Sequence, residues 1–190
     1  YGTATYGQKD FQYAWYLNYA ASLGMVYFDE EMNPGINSEA AVKGLEMYKK
    51  EFQFCPPETI TFGFDELQAA FLDGRVAMEI QWTDPGRVGQ DPAISKIAGK
   101  IGTALVPGSK INGEVIHRPV MAAGRVIGVT KWADDPVKAY QVARFMAHEA
   151  SLSYVSSPQT GQDPCRYSHY DAPGAFEMFP NMEQAQQYLD

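Results

Sequence analysis

The stretch "EIQWTDPGR", Glu79 to Arg87, concentrates the side chains with the most chemistry to offer. It holds a carboxylate, a primary amide, an indole, a second carboxylate and a guanidinium. Two uses compete for them. Glu79 and Asp84 could act as the paired carboxyl groups that flank a scissile glycosidic bond. Alternatively, Trp82 edged by Gln81, Asp84 and Arg87 suits capture of a carbohydrate. The C–H faces of a sugar pack on an aromatic plane, and its hydroxyls need both donors and acceptors. A plainer use also exists, in which Trp82 covers the core and Arg87 pairs with Asp84.

Other candidates follow the same logic. His117, Arg118 and Arg125 gather around a glycine-bearing strand start, and the loop "GQDPCRYSHY" adds Asp163, Arg166 and His169. Asp29, Glu30 and Glu31 follow a short strand, where adjacent acids read first as wetted surface. His117, His148 and His169 form no "HExxH" or "HxH" pattern, and the chain lacks a "GxSxG" elbow, a P-loop and a dinucleotide fingerprint. Catalytic residues, a metal and a cofactor are therefore not expected. Cys55 precedes two prolines, a rigid setting that suits structure better than a reactive thiol. Trp132, just before a helix cap, is expected to pack in the core or at a hinge.

These residues must be placed by a modest set of elements. The pattern of "KDFQYAWYLNYAASLG" predicts a helix from Lys9 to about Leu23 that ends at Gly24, with Trp15 and Asn18 or Tyr19 near one face. "MVYFDEEMNPG" predicts a short strand and a turn. Asn37 or Ser38 can cap a helix whose stripe is Val42, Leu45, Tyr48 and Phe52, and which must stop before Cys55-Pro56-Pro57. "DELQAAFLDG" predicts a short helix closed by Gly74. The alternation of Val76, Met78 and Ile80 with Ala77, Glu79 and Gln81 predicts a strand with Trp82 at its end, followed by a polar loop to Lys100. "KIGTALVPG" and "RVIGVT" predict two more strands. Asp135 and Pro136 open a further helix with an apolar stripe of Val137, Tyr140, Ala143 and Met146. An irregular tail spans 151–190 and includes a last short helix from about Met182 to Leu189. Strands alternating with helices imply an α/β lobe, a small sheet flanked by helices, with 1–190 as one unit.

Composition narrows the partners. The chain has 190 residues, 45% of them hydrophobic, and a formal net charge of -8. That supplies enough bulk for a core and argues against unaided binding to nucleic acid or to an anionic membrane, both of which demand basic surface. No stretch is long and apolar enough to span a bilayer. Two cysteines, Cys55 and Cys165, are too few for a disulfide scaffold and lack zinc-type spacing.

The order of motifs resembles the C-terminal lobe of family 1 extracellular solute-binding proteins of ABC importers, the maltose-binding-like group. The segments that carry the likeness are "NSEAAVKGLEMYKKEF", "FDELQAAFLDGRVAMEIQWTD", "IGTALVPG" and "AAGRVIGVTKWADDPVKAYQVARFMAHEA", followed by the tail "TGQDPCRYSH". The resemblance implies a periplasmic-binding-protein-like (type II) lobe, a partial chain lacking most of the N-terminal lobe and the export leader. It implies periplasmic or lipid-anchored extracellular placement, and delivery of a carbohydrate or polyol to membrane permease subunits by a monomer. By position, Trp82 corresponds to the aromatic that stacks on sugar in many members. Gly124 and Arg125 fall in the glycine-bearing segment near the ligand, and Trp15 lies where the first helix offers another aromatic. Asp163 and Arg166 belong to a variable region. "QWTDPGR" and "DPCRYSH" depart from the maltose-type pattern, which weakens any expectation of maltose itself. Export would also favour a Cys55–Cys165 bridge. Three rival readings stay open: a carbohydrate-active enzyme, a sensor or adhesion module on the same lobe, and capture of an anionic solute by Arg87, Arg118, Arg125 and Arg166.

Overall fold

The computed structural model describes residues 1–117, 126–148, 150, 151, 153 and 166–170. Strand β1 (Thr3–Ala4) and strand β2 (Met78–Glu79) pair in parallel, with Thr3 opposite Met78 and Ala4 opposite Glu79. Helices pack around this pair. Helix α1 (Gln12–Ala20) is shorter than its periodicity predicts, because the chain passes through turns before Gly24, whose φ of 98° reverses it.

Helix α2 (Glu39–Glu51) starts where the Ser38 hydroxyl accepts the Ala41 N–H at 3.3 Å, so Ser38 and not Asn37 is the cap. Its buried face is Ala41, Gly44 and Tyr48. The predicted stripe is therefore corrected: Tyr48 is buried and Phe52 half-buried, but Val42 and Leu45 are about half exposed. The cause is the closeness of α1 and α2. A Cβ on Gly44 would lie 2.6 Å from the Ala20 Cα, so only small residues fit at that crossing.

Two short 3₁₀ turns, Phe52–Phe54 and Pro57–Thr61, carry the chain past Pro56-Pro57 into helix α3 (Phe64–Leu72). Glu66 caps α3 by accepting the Gly63 N–H at 3.0 Å, and Gly74, at φ 70°, ends the segment as predicted. Cys55 is a buried free thiol that donates to the Glu51 carbonyl at 3.3 Å; Cys165, the partner of the bridge left open by the sequence, lies outside the described residues. Burial pushes the Cys55 thiol up to about 11, with the Glu51 charge adding to the effect.

Beyond β2 the structure departs further from expectation. "DPGRV" folds as a short helix, α4 (Asp84–Val88), where a loop was predicted. Pro85 sits in its first turn, a position that tolerates the missing N–H. "KIGTALVPG" forms no regular strand. Instead the hairpin comes after it, as β3 (Ser109–Ile111) and β4 (Glu114–Ile116), joined by Asn112 and Gly113 at φ 51° and 94°. Both turn residues are left-handed, as a two-residue hairpin requires, and Asn-Gly is the dipeptide that supplies this at least cost. Residues 126–130 of "RVIGVT" belong to no strand, and Val126 is 99% exposed.

Helix α5 (Pro136–Ala147) opens as predicted: the Asp135 carboxylate accepts the Lys138 N–H at 3.0 Å and Pro136 takes the first position. Its stripe does not bury. Only Ala143 is enclosed, while Val137, Tyr140 and Met146 are exposed. Trp132 is likewise exposed rather than packed, with the Lys131 ammonium over its ring. A last helical turn, α6 (Tyr167–Tyr170), docks on the end of α5, where Arg166 donates twice to the Ala147 carbonyl. The helix expected near Met182–Leu189 lies outside the described residues. Among the described residues no helix is long and apolar enough to cross a membrane.

The main core joins Ala4, Tyr6, Ala14, Trp15, Tyr48, Phe62, Leu67, Ala70 and Val76, with Phe11, Phe64, Ile80 and Trp82 packed on its edge. It ties β1, α1, α2, α3 and β2 into one body and sets the end of β2 beside the first helix.

Candidate ligand-binding pocket

The pocket forms where β2 runs out against α1. Trp15 is nearly inaccessible at 4% exposure; it stacks on Tyr6 with ring centres 4.6 Å apart, and its Nε1–H donates to the Ile80 carbonyl at 2.7 Å. Its donor is thus satisfied, and the indole is held at a fixed angle. Trp82 meets Trp15 edge-on, with centres 5.2 Å apart and planes at 83°. Phe11 and Phe64 lie 5.7 and 6.0 Å from Trp82 on its other contacts. Trp82 is half-buried, so it braces the core and still contributes to a cavity.

That cavity is lined by Ala14, Trp15, Asn18, Ile80, Gln81, Trp82 and Val106. Its volume is about 70 Å³, small beside the roughly 300–1,000 Å³ usual for pockets that enclose a ligand. Val106 is held from behind by His117, whose Nδ1 lies 2.9 Å from the Val106 carbonyl and so carries the proton of that contact. Gln81 turns its Oε1 back to accept the Trp82 N–H at 3.0 Å, which leaves its Nε2 buried with no hydrogen-bond partner.

The structure thus brings together Trp15, Gln81 and Trp82 from the candidates. Asp84 opens α4, and Arg87 is buried in that helix at 3% exposure; neither lines the cavity. Arg166 is committed to the end of α5. Arg118, Gly124, Arg125 and Asp163 lie outside the described residues. His169 is buried, with its Nε2 3.2 Å from the Ser151 hydroxyl, and burial lowers its pKa, the Arg166 charge adding to the effect.

Asn18 was not singled out as a ligand residue, although its sequence signal exists. It follows Trp15 by three positions, so it shares the buried face of α1, and a polar side chain on such a face needs a purpose. Val106 carries no sequence signal, because only tertiary packing brings it to the indoles.

Glu79 stands apart. The residue as a whole is half-buried, but both carboxyl oxygens are shut off from water and have no hydrogen-bond partner. Burial alone pushes its pKa from the ordinary 4.5 up to about 8. An acid in that state is neutral at pH 7, while Asp84, the possible partner, opens α4 and does not line the cavity.

Residues 1–151 match the family described as bacterial extracellular solute-binding protein. No curated protein sequence matches the chain. Among solved structures, an ABC transporter solute-binding protein from Agrobacterium radiobacter K84 in complex with ribitol is similar, at 22% identity and a TM-score of 0.80 over 98% of this chain and 47% of that one. One from Agrobacterium vitis S4 with bound D-mannitol gives 20% and 0.74, over 97% and 45%. Maltose-bound T. maritima MalE3 gives 21% and 0.81, over 98% and 48%. At such identities the likeness is one of fold. The chain spans about half the length of the structures it matches.

Proposed function

The chain belongs to the bacterial extracellular solute-binding protein family, and from that premise we propose that it is the substrate-binding component of an ABC importer for a carbohydrate or polyol. It captures the solute outside the plasma membrane, in the periplasm or on a lipid anchor, and passes it to the permease subunits. The observation that carries this reading is the pair of indoles at right angles beside Gln81 and Asn18. Fixed aromatic surface edged by amides is what a neutral, hydroxyl-rich molecule needs.

Charge among the described residues favours this over the anionic alternative, whose Arg118 and Arg125 lie outside them. The cavity lining carries no ionised side chain among the described residues, Arg87 is enclosed in α4, and Arg166 is bound to a helix end. The bound solutes of the ribitol, D-mannitol and maltose complexes belong to the same uncharged class.

No bond need be made or broken. The family is one of binding proteins, and the role is capture and release. The second wall of the cleft comes from sequence outside these 190 residues, and a solute gripped by both walls shifts the population to a closed form. It does so only by binding that form better than the open one. Intrinsic tryptophan fluorescence of the complete protein, titrated with ribitol, D-mannitol, maltose and inorganic anions, tests the reading. A saturable change for a sugar or polyol, lost in Trp82→Ala and with the solute recovered intact, is the expected result. Response to anions alone, or consumption of the solute, overturns it.

A further inference from the structure

Asn18 is only 7% exposed, yet its carboxamide makes no hydrogen bond among the described residues. Burying an amide without a partner is costly, and such groups are rare in folded proteins. The helix shows where this one is aimed. Ala14, Trp15 and Asn18 stand at i, i+1 and i+4 of α1, so they share a face, and all three line the cavity at the end of β2. The Asn18 amide atoms are not among the buried polar atoms sealed from solvent, so they open into that cavity. Several polar groups around it are already committed. The Trp15 Nε1–H donates to the Ile80 carbonyl, the Val106 carbonyl is in contact with His117, and the Gln81 Oε1 accepts the Trp82 N–H.

We propose that Asn18 is the specificity-determining residue of the pocket and reads two adjacent hydroxyls of the solute. A carboxamide presents an acceptor oxygen and a donor nitrogen side by side. One hydroxyl donates to the Asn18 Oδ1 and its neighbour accepts from Nδ2–H, so a vicinal diol meets both needs at once without enclosing a charge. Trp15 and Trp82 take the C–H surface beside it. The same amide discriminates against a solute with an apolar edge, because its donor and acceptor would then stay unmet while losing access to water. The inference rests on the sugar- or polyol-binding reading and adds which residue reads the hydroxyls and in what arrangement.

The test separates a reading role from a structural one by following affinity and stability together. The complete protein and its Asn18→Leu, Asn18→Ala and Trp82→Ala variants are titrated calorimetrically with ribitol, D-mannitol and maltose, and their melting temperatures are taken without solute. Leucine keeps roughly the bulk of asparagine and removes its polar atoms. For whichever probe the wild type binds, Asn18→Leu is expected to bind at least about tenfold more weakly, the scale of two lost hydrogen bonds. Without solute it melts no lower than wild type, because the amide had no partner to lose. Asn18→Leu affinity within about twofold of wild type overturns the inference and leaves the binding reading standing on Trp82→Ala. Weaker binding accompanied by a lower melting temperature assigns Asn18 a structural role and overturns it as well. If the wild type binds none of the three probes, the binding reading fails and takes the inference with it. Should Asn18→Leu not fold, Asn18→Ala carries the same tenfold expectation, and unchanged affinity in it is equally decisive against the inference.

Discussion

A carboxyl group enclosed without a donor holds on to its proton, and Glu79 does so up to a pH of about 8. The unfolded chain gives that proton up near 4.5. Below 4.5 both states are protonated and Glu79 makes no pH-dependent contribution. Between 4.5 and 8 the folded state binds more protons than the unfolded one, so stability falls as pH rises; above 8 both are ionised and the loss levels off. The full loss is on the order of 5 kcal/mol. Glu79→Gln removes the titration. Its melting temperature should therefore match wild type near pH 4 and exceed it increasingly toward pH 8. A constant gap across that range, measured by calorimetry in matched buffers, would show that Glu79 is solvated after all. The same residue shows how far sequence reasoning reaches. Alternation along "VAMEIQ" predicts a strand with Val76, Met78 and Ile80 on one face, but only Met78–Glu79 pairs as strand, and Val76 is buried while Met78 is exposed; what packs over each residue, Glu79 included, is set by tertiary contacts that no local pattern records.

At the scale of elements, the crossing of α1 and α2 depends on Gly44. Alanine is the better helix former by about 1 kcal/mol, which by itself would favour Gly44→Ala. Here the new Cβ would meet the Ala20 Cα at 2.6 Å and its Cβ at 2.7 Å, and backbone cannot yield as a flexible side-chain tip does. Overpacking of this kind costs about 1–3 kcal/mol, so the net expectation is destabilisation and a lower denaturation midpoint in urea. Lys43→Ala, one position along on the exposed face, should leave that midpoint unchanged within error. Helix starts were the most legible part of the sequence, since Ser38 and the Asp135-Pro136 pair act through atoms only a few residues away. Strands were less so. Asn112-Gly113 is a strong hairpin signal that the apolar run "KIGTALVPG" overshadowed, and a run of β-branched residues becomes a strand only where a partner strand meets it. Of the pocket, Trp82, Gln81 and Trp15 were readable from type and position. Asn18 and Val106 converge on them through tertiary contacts that sequence spacing does not encode.

For the whole molecule, two features point the same way. Among the described residues the cavity at the end of β2 is small and lined by α1, residues 80–82 and Val106, and α5 presents Val137, Tyr140, Val142, Phe145 and Met146 to solvent. A solute resting on Trp15 and Trp82 therefore keeps most of its outer surface in water, whereas ligand sites typically bury roughly 70–90% of a bound molecule. Binding by these 190 residues should reflect only the contacts of that lining. If the site is a two-walled cleft as proposed, a chain of the length of its structural relatives, about twice as long, supplies the opposing contacts and the closure that depends on them. Titrated with the same probe, the 190-residue chain is expected to half-saturate at a concentration on the order of 100-fold higher than the extended chain, a difference of about 2.7 kcal/mol. The Trp82 emission change should appear in both, because the indole belongs to the wall they share. Equal affinities would mean that this wall holds the solute by itself, and the need for a second wall would disappear.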